Sequence, residues 1–262
     1  MIIDIHTHCF TDKLASRAIG SLSNTSGLTP FLDGTVAGLR GSMLAAGVDL
    51  SIIQPIATKP EQTVSINRWA ANLNVEGIIS FGTLHPDFTD WREEIKWLAA
   101  EGFKGVKFHP EYQDFFVDDP RVFDIYDAIF NAGLIALFHS GNDLSFNEPF
   151  HCTPPKLKRI LDTFPGAVII AAHMGGYRYW DEVEELLLGR DVYFDTSFSI
   201  QEMGEAKAER LIKQHGTSKI LFGSDSPWGD SRADISFIRS LNLEDHEINN
   251  ILGNNAKKLL KL

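Results

Sequence analysis

The chain has 262 residues and carries 24 basic against 35 acidic side chains, which gives a formal net charge of −11. This excess of negative charge argues against binding to nucleic acid or to an anionic membrane, since both attract lysine and arginine surfaces. We therefore expect a small-molecule partner. The two cysteines are too few for a disulfide framework and are typical of a reducing compartment. With no signal-peptide pattern and no long apolar run in the sequence, we expect a cytoplasmic protein.

Short β-branched or aromatic runs alternate with stretches of helical period about every 25 to 30 residues, the length of one βα unit. Eight strands are predicted, at roughly Ile2–His8, Leu50–Pro55, Ile78–Leu84, Gly105–His109, Leu134–His139, Val168–His173, Val192–Thr196 and Ile220–Ser224. Eight strand–helix units favour a (β/α)8 TIM barrel formed by residues 1–262 as a single domain. A doubly wound open sheet would show the same alternation with fewer units.

Two connections are longer than a βα loop needs to be. The first runs from Phe10 to about Gly34, and the second from Gly141 to about Pro155. Both follow the carboxyl ends of predicted strands, where a barrel carries its catalytic mouth. They are candidate lids or specificity loops.

Histidine is concentrated at the predicted strand ends. Six of the nine histidines lie at or just beyond such an end, and Asp225 follows the eighth strand in the same way. Because all these ends open onto one face of a barrel, the side chains should converge there. The arrangement indicates a metal site. The six are His6, His8, His85, His109, His139 and His173.

His6 and His8 form an H-x-H motif in the first strand. Side chains two residues apart in a strand point the same way, so two imidazoles can hold one ion. An exposed polar strand face would explain a lone H-x-H equally well. Here Ile2, Ile3 and Ile5 indicate a buried strand, where two unpaired imidazoles would be costly, and this favours metal ligation.

His139 and His173 each close an almost wholly apolar strand, and Asp225 stands among small residues after the last one. Taken singly, each histidine could cap its strand by bonding a neighbouring carbonyl, and Asp225 could simply start a turn. Together with the H-x-H motif, they form a plausible set of three nitrogen ligands and one oxygen ligand.

Four of these segments carry a family resemblance that runs from the first strand to the last. They resemble the amidohydrolase superfamily, and more narrowly its amidohydrolase-related branch, which includes relatives of aminocarboxymuconate-semialdehyde decarboxylase. The segments are His6-Thr7-His8, His139-Ser140-Gly141, Ala172-His173-Met174-Gly175-Gly176 and Phe222-Gly223-Ser224-Asp225-Ser226-Pro227-Trp228.

The resemblance implies that His6, His8, His139 and Asp225 hold a divalent metal, most often zinc. His173 would stand beside the metal-bound water, and His173 or Asp225 would act as the catalytic proton acceptor. One ion is favoured, as is usual in this branch.

A second ion is the alternative, because some superfamily members bridge two metals with a carboxylated lysine at the end of strand 4. Lys107 occupies that place, and His139 and His173 would then bind the second ion. Otherwise Lys107 would be a snorkelling lysine, and His109 on the same strand face would contact substrate.

Arg178 could clamp a substrate carboxylate or could be a solvated loop cation, and Trp228 could line the pocket or simply pack. His85 and Phe10 are similar pocket candidates. His215 and His246 stand among charged residues of predicted outer helices and are expected to be exposed.

The leading interpretation is a metal-dependent hydrolase that cleaves an amide, ester or lactone-like bond in a small molecule. Its alternative is a metal-dependent non-oxidative decarboxylase of an aromatic or muconate-type acid. A TatD-type deoxyribonuclease is disfavoured by the charge and by the lack of a glutamate on the middle strands, and a non-catalytic binding barrel stays open. Pairing of the outer helices into a homodimer is open as well.

Overall fold

Parallel strands form the centre of the protein, whose computed structural model describes residues 1–262. All eight predicted strands are present, and the third is interrupted at Phe81. The strands are β1 (Ile3–Thr7), β2 (Leu50–Ile53), β3 (Ile78–Ser80 and Gly82–Thr83), β4 (Gly105–Phe108), β5 (Ile135–Phe138), β6 (Ile169–Ala171), β7 (Tyr193–Asp195) and β8 (Ile220–Leu221).

Neighbouring strands pair in chain order, β1–β2–β3 and then β3 through β8. Backbone hydrogen bonds join the remaining edges. The Phe81 amide donates to the Ile53 carbonyl at 2.9 Å, and the Ile5 amide donates to the carbonyl of Phe222, just after β8, also at 2.9 Å. The last strand thus returns to the first, as the (β/α)8 barrel predicted from the sequence requires.

The apolar side chains form two clusters. The smaller fills the barrel and contains Ile3, Ile52 and Leu137, whereas the larger lies between strands and helices and includes Ala136 and Phe138. The alternation along β5 therefore separates the two layers, as the two-residue period of a strand dictates.

A register shift in the β1–β2 pairing, between Asp4 and Thr7, marks the end of the apolar interior. Ile3 and Ile5 pack inside the barrel, and His6, which follows Ile5 within the shifted segment, contacts the buried Lys107. Irregularities of this kind re-aim side chains near active sites. The bulge brings the H-x-H motif over the barrel centre.

Helices surround the barrel, and none of them is long and apolar enough to cross a membrane. They are α1 (Asp12–Ser26), α2 (Val36–Ala46), α3 (Thr63–Ala71), α4 (Trp91–Ala100), α5 (Phe123–Asn131), α6 (Pro154–Thr163), α7 (Trp180–Leu186), α8 (Ile200–Met203), α9 (Glu205–His215), α10 (Ser231–Ser240), α11 (Asp245–Asn249) and α12 (Asn255–Leu260). Short helical turns cover Pro60–Gln62, Pro120–Val122, Thr217–Lys219 and Asn250–Asn254.

The two long connections differ in structure. The first contains the 15-residue helix α1, whose Ala15 and Ile19 are buried in the core. The second runs without a helix from Gly141 until α6 begins at Pro154. Both contribute residues to the large cavity at the carboxyl ends of the strands.

His215 corrects a sequence expectation, because it is only 5% exposed. Its Nε2 donates to the Val192 carbonyl at 2.9 Å, its Nδ1 accepts from the Gly189 amide at 3.2 Å, and its ring stacks on Phe194 at 4.0 Å. The charged neighbours of His215 in α9 suggested an exposed position. The face of α9 that carries His215 instead packs against β7. His246 is exposed, as predicted.

Candidate metal centre

Three groups from the two ends of the chain meet at the carboxyl end of the barrel. The Nε2 atoms of His6 and His8 lie 3.2 Å apart, and the Asp225 Oδ1 atom lies 3.4 Å from the first and 3.2 Å from the second. Their potential ligand atoms all fall within 4.8 Å of one another. The structure therefore brings together three of the four residues expected to hold a metal.

The hydrogen bonds on the far side of each ring decide which nitrogen carries the proton. His6 Nδ1 lies 2.9 Å from Asp195 Oδ2, and His8 Nδ1 lies 2.7 Å from the Gln54 carbonyl. Oxygens of both kinds only accept, so each Nδ1 is the donor and each Nε2 presents a lone pair. Two lone pairs and a carboxylate oxygen thus face one another, an arrangement that a cation stabilises.

The electrostatics of these groups suit a metal ligand set. Burial, followed by the positive charge of Lys107, holds the pKa of His6 well below its usual value, so the ring is unprotonated at neutral pH. Burial alone would raise the pKa of Asp225, but the contact with His8 and the nearby imidazoles lower it well below its ordinary value. A neutral imidazole and an ionised carboxylate are the forms that bind metals.

Lys107 lies beneath this cluster, with its Nζ 3.1 Å from His6 Nε2. The residue is fully buried, so the snorkelling alternative is wrong. Burial lowers the pKa of the Lys107 ammonium to about 8, partly opposed by Asp195 and Asp225. The side chain forms the floor of the site.

His139 and His173 are linked to each other. His173 Nδ1 lies 2.9 Å from the Ser197 carbonyl and therefore donates to it. His173 Nε2 lies 3.0 Å from His139 Nδ1, and His139 Nε2 lies 3.3 Å from the Asn142 carbonyl. His139, the fourth expected ligand, is thus not grouped with the other three. Instead, His139 pairs with His173 beside the three-residue cluster.

The outer ring nitrogen of His139 faces a second cluster. The rings of His109 and His139 stack with their centroids 4.1 Å apart, and their Nε2 atoms lie 3.3 and 3.9 Å from Asp143 Oδ2, respectively. Burial lowers the pKa of both histidines well below the usual value. The Tyr112 amide donates to His109 Nδ1 at 3.4 Å, so His109 Nε2 is the donor to Asp143.

Three residues of the site were missed by sequence reasoning: Asp195, Ser197 and Asp143. Asp195 binds His6, and Ser197 Oγ lies 3.0 Å from both His6 Nδ1 and His173 Nδ1. An acid at the end of the apolar Tyr193–Asp195 strand is the same signal that singled out the histidines. Asp143 lies in a long connection, where the sequence gives no comparable indication.

Of the remaining residues predicted to contact a substrate, some line the cavity and others lie outside it. Trp228 and Phe10 line the cavity, as does His109, whereas His85 is buried outside the lining. Arg178 is also outside the lining, and its Nε donates to Glu202 Oε1 at 2.7 Å. Arg178 therefore pairs with a carboxylate of the protein and does not bind a substrate carboxylate. It is a loop cation, the second possibility raised by the sequence.

The cavity above the histidines has a volume of about 560 Å³. This is within the usual range for small-molecule sites. Neither lysine nor arginine lines it. Its apolar lining consists mainly of Phe10, Leu14, Ala18, Leu22, Leu28, Ile56, Ile66, Trp69, Leu144, Phe198 and Trp228.

A barrel with convergent imidazoles and a carboxylate at the carboxyl ends of its strands defines a metal-dependent enzyme. The chain belongs to the amidohydrolase family, whose model matches residues 3–262. The resemblance drawn from the strand-end motifs is thereby confirmed, and the donor set suits a divalent metal. No curated protein matches the chain.

Several solved structures share the fold. An uncharacterized TIM-barrel protein from Bordetella bronchiseptica is 15% identical, with a TM-score of 0.74 over 99% of this chain and 98% of that one. The 5-carboxyvanillate decarboxylase of Sphingomonas paucimobilis is 17% identical, with a TM-score of 0.71 over 100% and 99%. A dihydroxybenzoic acid decarboxylase from Polaromonas, solved with bound manganese and an inhibitor, is 15% identical, with a TM-score of 0.74 over 100% and 97%.

Proposed function

We propose that this protein is a metal-dependent, non-oxidative decarboxylase of an aromatic or muconate-type acid. The observation that carries the proposal is the convergence of His6, His8 and Asp225 beneath an apolar cavity that no lysine or arginine lines. The decarboxylases among the structural neighbours support this reaction over hydrolysis, which the sequence had favoured.

The metal would be held by His6, His8 and Asp225, and we favour a single ion. Zinc suits two imidazoles and a carboxylate, and the bound manganese of the Polaromonas structure makes manganese the second choice. Such an ion supplies Lewis acidity that polarises a substrate oxygen and draws electron density away from the bond that breaks.

As the C–C bond to CO₂ breaks, the negative charge of the carboxylate spreads into the rest of the substrate. An apolar cavity lining favours this redistribution of charge. Phe198 and Trp228 add apolar surface to the cavity, and no arginine lines it to fix the charge of the acid group in the ground state. Surroundings of low polarity stabilise such a dispersed charge relative to a localised one.

A proton must replace CO₂ on the carbon that receives the electron pair of the broken bond. His173 lines the cavity beside the metal cluster, and its Nε2 shares a hydrogen bond with His139 Nδ1. His173 carries its own proton on Nδ1, against the Ser197 carbonyl, so it becomes a donor only when Nε2 takes up a second proton. That proton passes to the substrate carbon, and the adjacent His139 can restore it. We assign His173 as the proton donor and His139 as the residue that supplies it.

The test is an assay of the zinc- and manganese-loaded protein against hydroxybenzoic and muconate-type acids, with CO₂ release measured alongside hydrolysis of lactones and amides. We expect CO₂ release by the wild type and a loss of at least about 10²-fold in Asp225→Asn and His173→Asn.

The matched control is Asp181→Asn, which removes a carboxylate that is 90% exposed and should retain full activity. Circular dichroism checks that each variant is folded. Hydrolysis of a lactone or amide without CO₂ release from any acid would overturn the proposal in favour of the hydrolase.

A further inference from the structure

One face of helix α1 has no protein partner and forms a wall of the cavity. Leu14, Ala18 and Leu22 are four residues apart and therefore lie on one face, and all three line the cavity. The adjacent face, with Ala15 and Ile19, is buried in the core. Helix α1 thus presents a second apolar stripe to the space above the metal cluster.

Two other segments also contribute apolar side chains to the cavity. Ile66 and Trp69 of α3 are three residues apart and both line the cavity, as does Leu144 from the connection after β5. We call these six residues, Leu14, Ala18, Leu22, Ile66, Trp69 and Leu144, the apolar wall. Apolar area of this kind binds an apolar group by removing it from water.

The charges around the apolar wall are unfavourable for a second anion. Asp143 is the one acidic residue of the lining besides Asp225, and no lysine or arginine lines the cavity. Lys107 is buried beneath His6, and Arg178 is engaged by Glu202. A second carboxylate would lose hydration and find hydroxyl and amide groups but no cation in the lining, which is costly for a charge.

We propose that the substrate is a monocarboxylic acid with an extended apolar body, which lies along the apolar wall, and that dicarboxylic acids are rejected. This narrows the proposed substrates to the aromatic acids, because muconate-type acids carry a second carboxylate. The inference rests on the proposed function only in placing the acid group at the metal cluster. Selectivity in binding does not depend on turnover, so the two proposals can fail separately.

The experiment uses saturated acids, which cannot delocalise a carbanion and therefore do not decarboxylate. Calorimetric titration of the zinc-loaded full chain compares trans-4-butylcyclohexanecarboxylate, trans-4-methylcyclohexanecarboxylate and trans-cyclohexane-1,4-dicarboxylate. We expect the butyl acid to bind most tightly and the dicarboxylate at least about tenfold more weakly than the methyl acid. A dicarboxylate that binds as tightly as the methyl acid, or no measurable binding of any acid, would overturn the inference.

Leu14→Arg tests the cause of the selectivity. Leu14 is 44% exposed, so the substitution adds a cation at the cavity rim without disturbing the core. We expect the ratio of the affinity for the dicarboxylate to the affinity for the methyl acid to rise about tenfold. Leu14→Met is the matched control and should keep the wild-type order; equal effects of both substitutions would contradict the charge argument.

If the acids show this order but none of the panel of unsaturated acids releases CO₂, the proposed reaction is wrong and the binding selectivity stands. If CO₂ is released and the dicarboxylate binds as well as the monoacids, the reaction stands and this inference is wrong.

Discussion

Asp195 determines the form in which His6 enters the metal centre. Its Oδ2 accepts from His6 Nδ1 at 2.9 Å, while its Oδ1 accepts from the His173 and Ser197 amides. This contact keeps the proton of His6 on Nδ1 and fixes the orientation of the ring. The lone pair of His6 Nε2 therefore points toward Asp225. Carboxylate–histidine pairs of this kind raise the basicity of a ligand.

Asp195→Asn is therefore expected to weaken metal binding by about 10- to 100-fold while the barrel stays folded. An amide can donate to His6 Nδ1 and thereby favour the tautomer that turns a proton toward the metal. Competition with a chromophoric chelator measures the affinity. Asp191→Asn, an exposed carboxylate of the same segment, is the control and should bind metal like the wild type. Equal affinities of the two variants would show that Asp195 does not orient His6.

Some residues of the site could be predicted from the sequence and others could not, for a physical reason. His6, His8 and Asp225 could be found because a polar residue at the end of an apolar strand is conspicuous. The contact of His139 with His173, at 3.0 Å, depends on side-chain rotation, which strand periodicity does not determine. Asp143 reaches the site through an irregular connection, so only the three-dimensional fold reveals it.

At the scale of the elements, the strands were predictable and helix α1 was not. Strands such as Ile135–Phe138 are short, wholly buried and apolar at every position, which leaves few alternatives. Helix α1 contains five serine and threonine residues and a glycine, which favour turns over helices. Its formation depends on the burial of Ala15 and Ile19, which is a tertiary effect.

His215 joins helix α9 to strand β7 and should make this junction sensitive to acid. Burial lowers the pKa of His215 from 6.5 to about 4. A base with a depressed pKa in the folded state contributes stability above pH 6.5 that is lost as the pH falls toward 4. Between pH 4 and 6.5, protonation of His215 favours the unfolded chain, because the imidazolium is hydrated in the unfolded chain and buried in the folded one.

Replacement of His215 by glutamine removes the titration and keeps a donor for the Val192 carbonyl. We expect the free energy of unfolding of His215→Gln to depend less steeply on pH between 4 and 6.5 than that of the wild type, by up to about 1.4 kcal/mol per pH unit. Urea denaturation of chelator-treated protein measures the two slopes. His246→Gln, at an exposed position, should retain the wild-type slope, and an unchanged slope in His215→Gln would refute the assignment.

At the scale of the whole molecule, the metal centre joins the two ends of the barrel sequence. His6 and His8 come from β1, and Asp225 follows β8, so an ion bound by all three would cross-link the first and last units. The net charge of −11 raises the local concentration of cations around the protein. Both effects couple metal binding to the stability of the closed barrel.

Removal of the metal is thus expected to destabilise the folded state. A ligand present at about 100 times its dissociation constant stabilises the native protein by about 2.7 kcal/mol, which corresponds to a rise in Tm of about 5 to 10 °C for a chain of this size. Scanning calorimetry before and after chelation should show this loss, and added zinc should restore it. His8→Ala removes one ligand and should melt at the same temperature with and without chelator. A wild-type Tm that chelation leaves unchanged would mean that His6, His8 and Asp225 hold no ion in the folded protein.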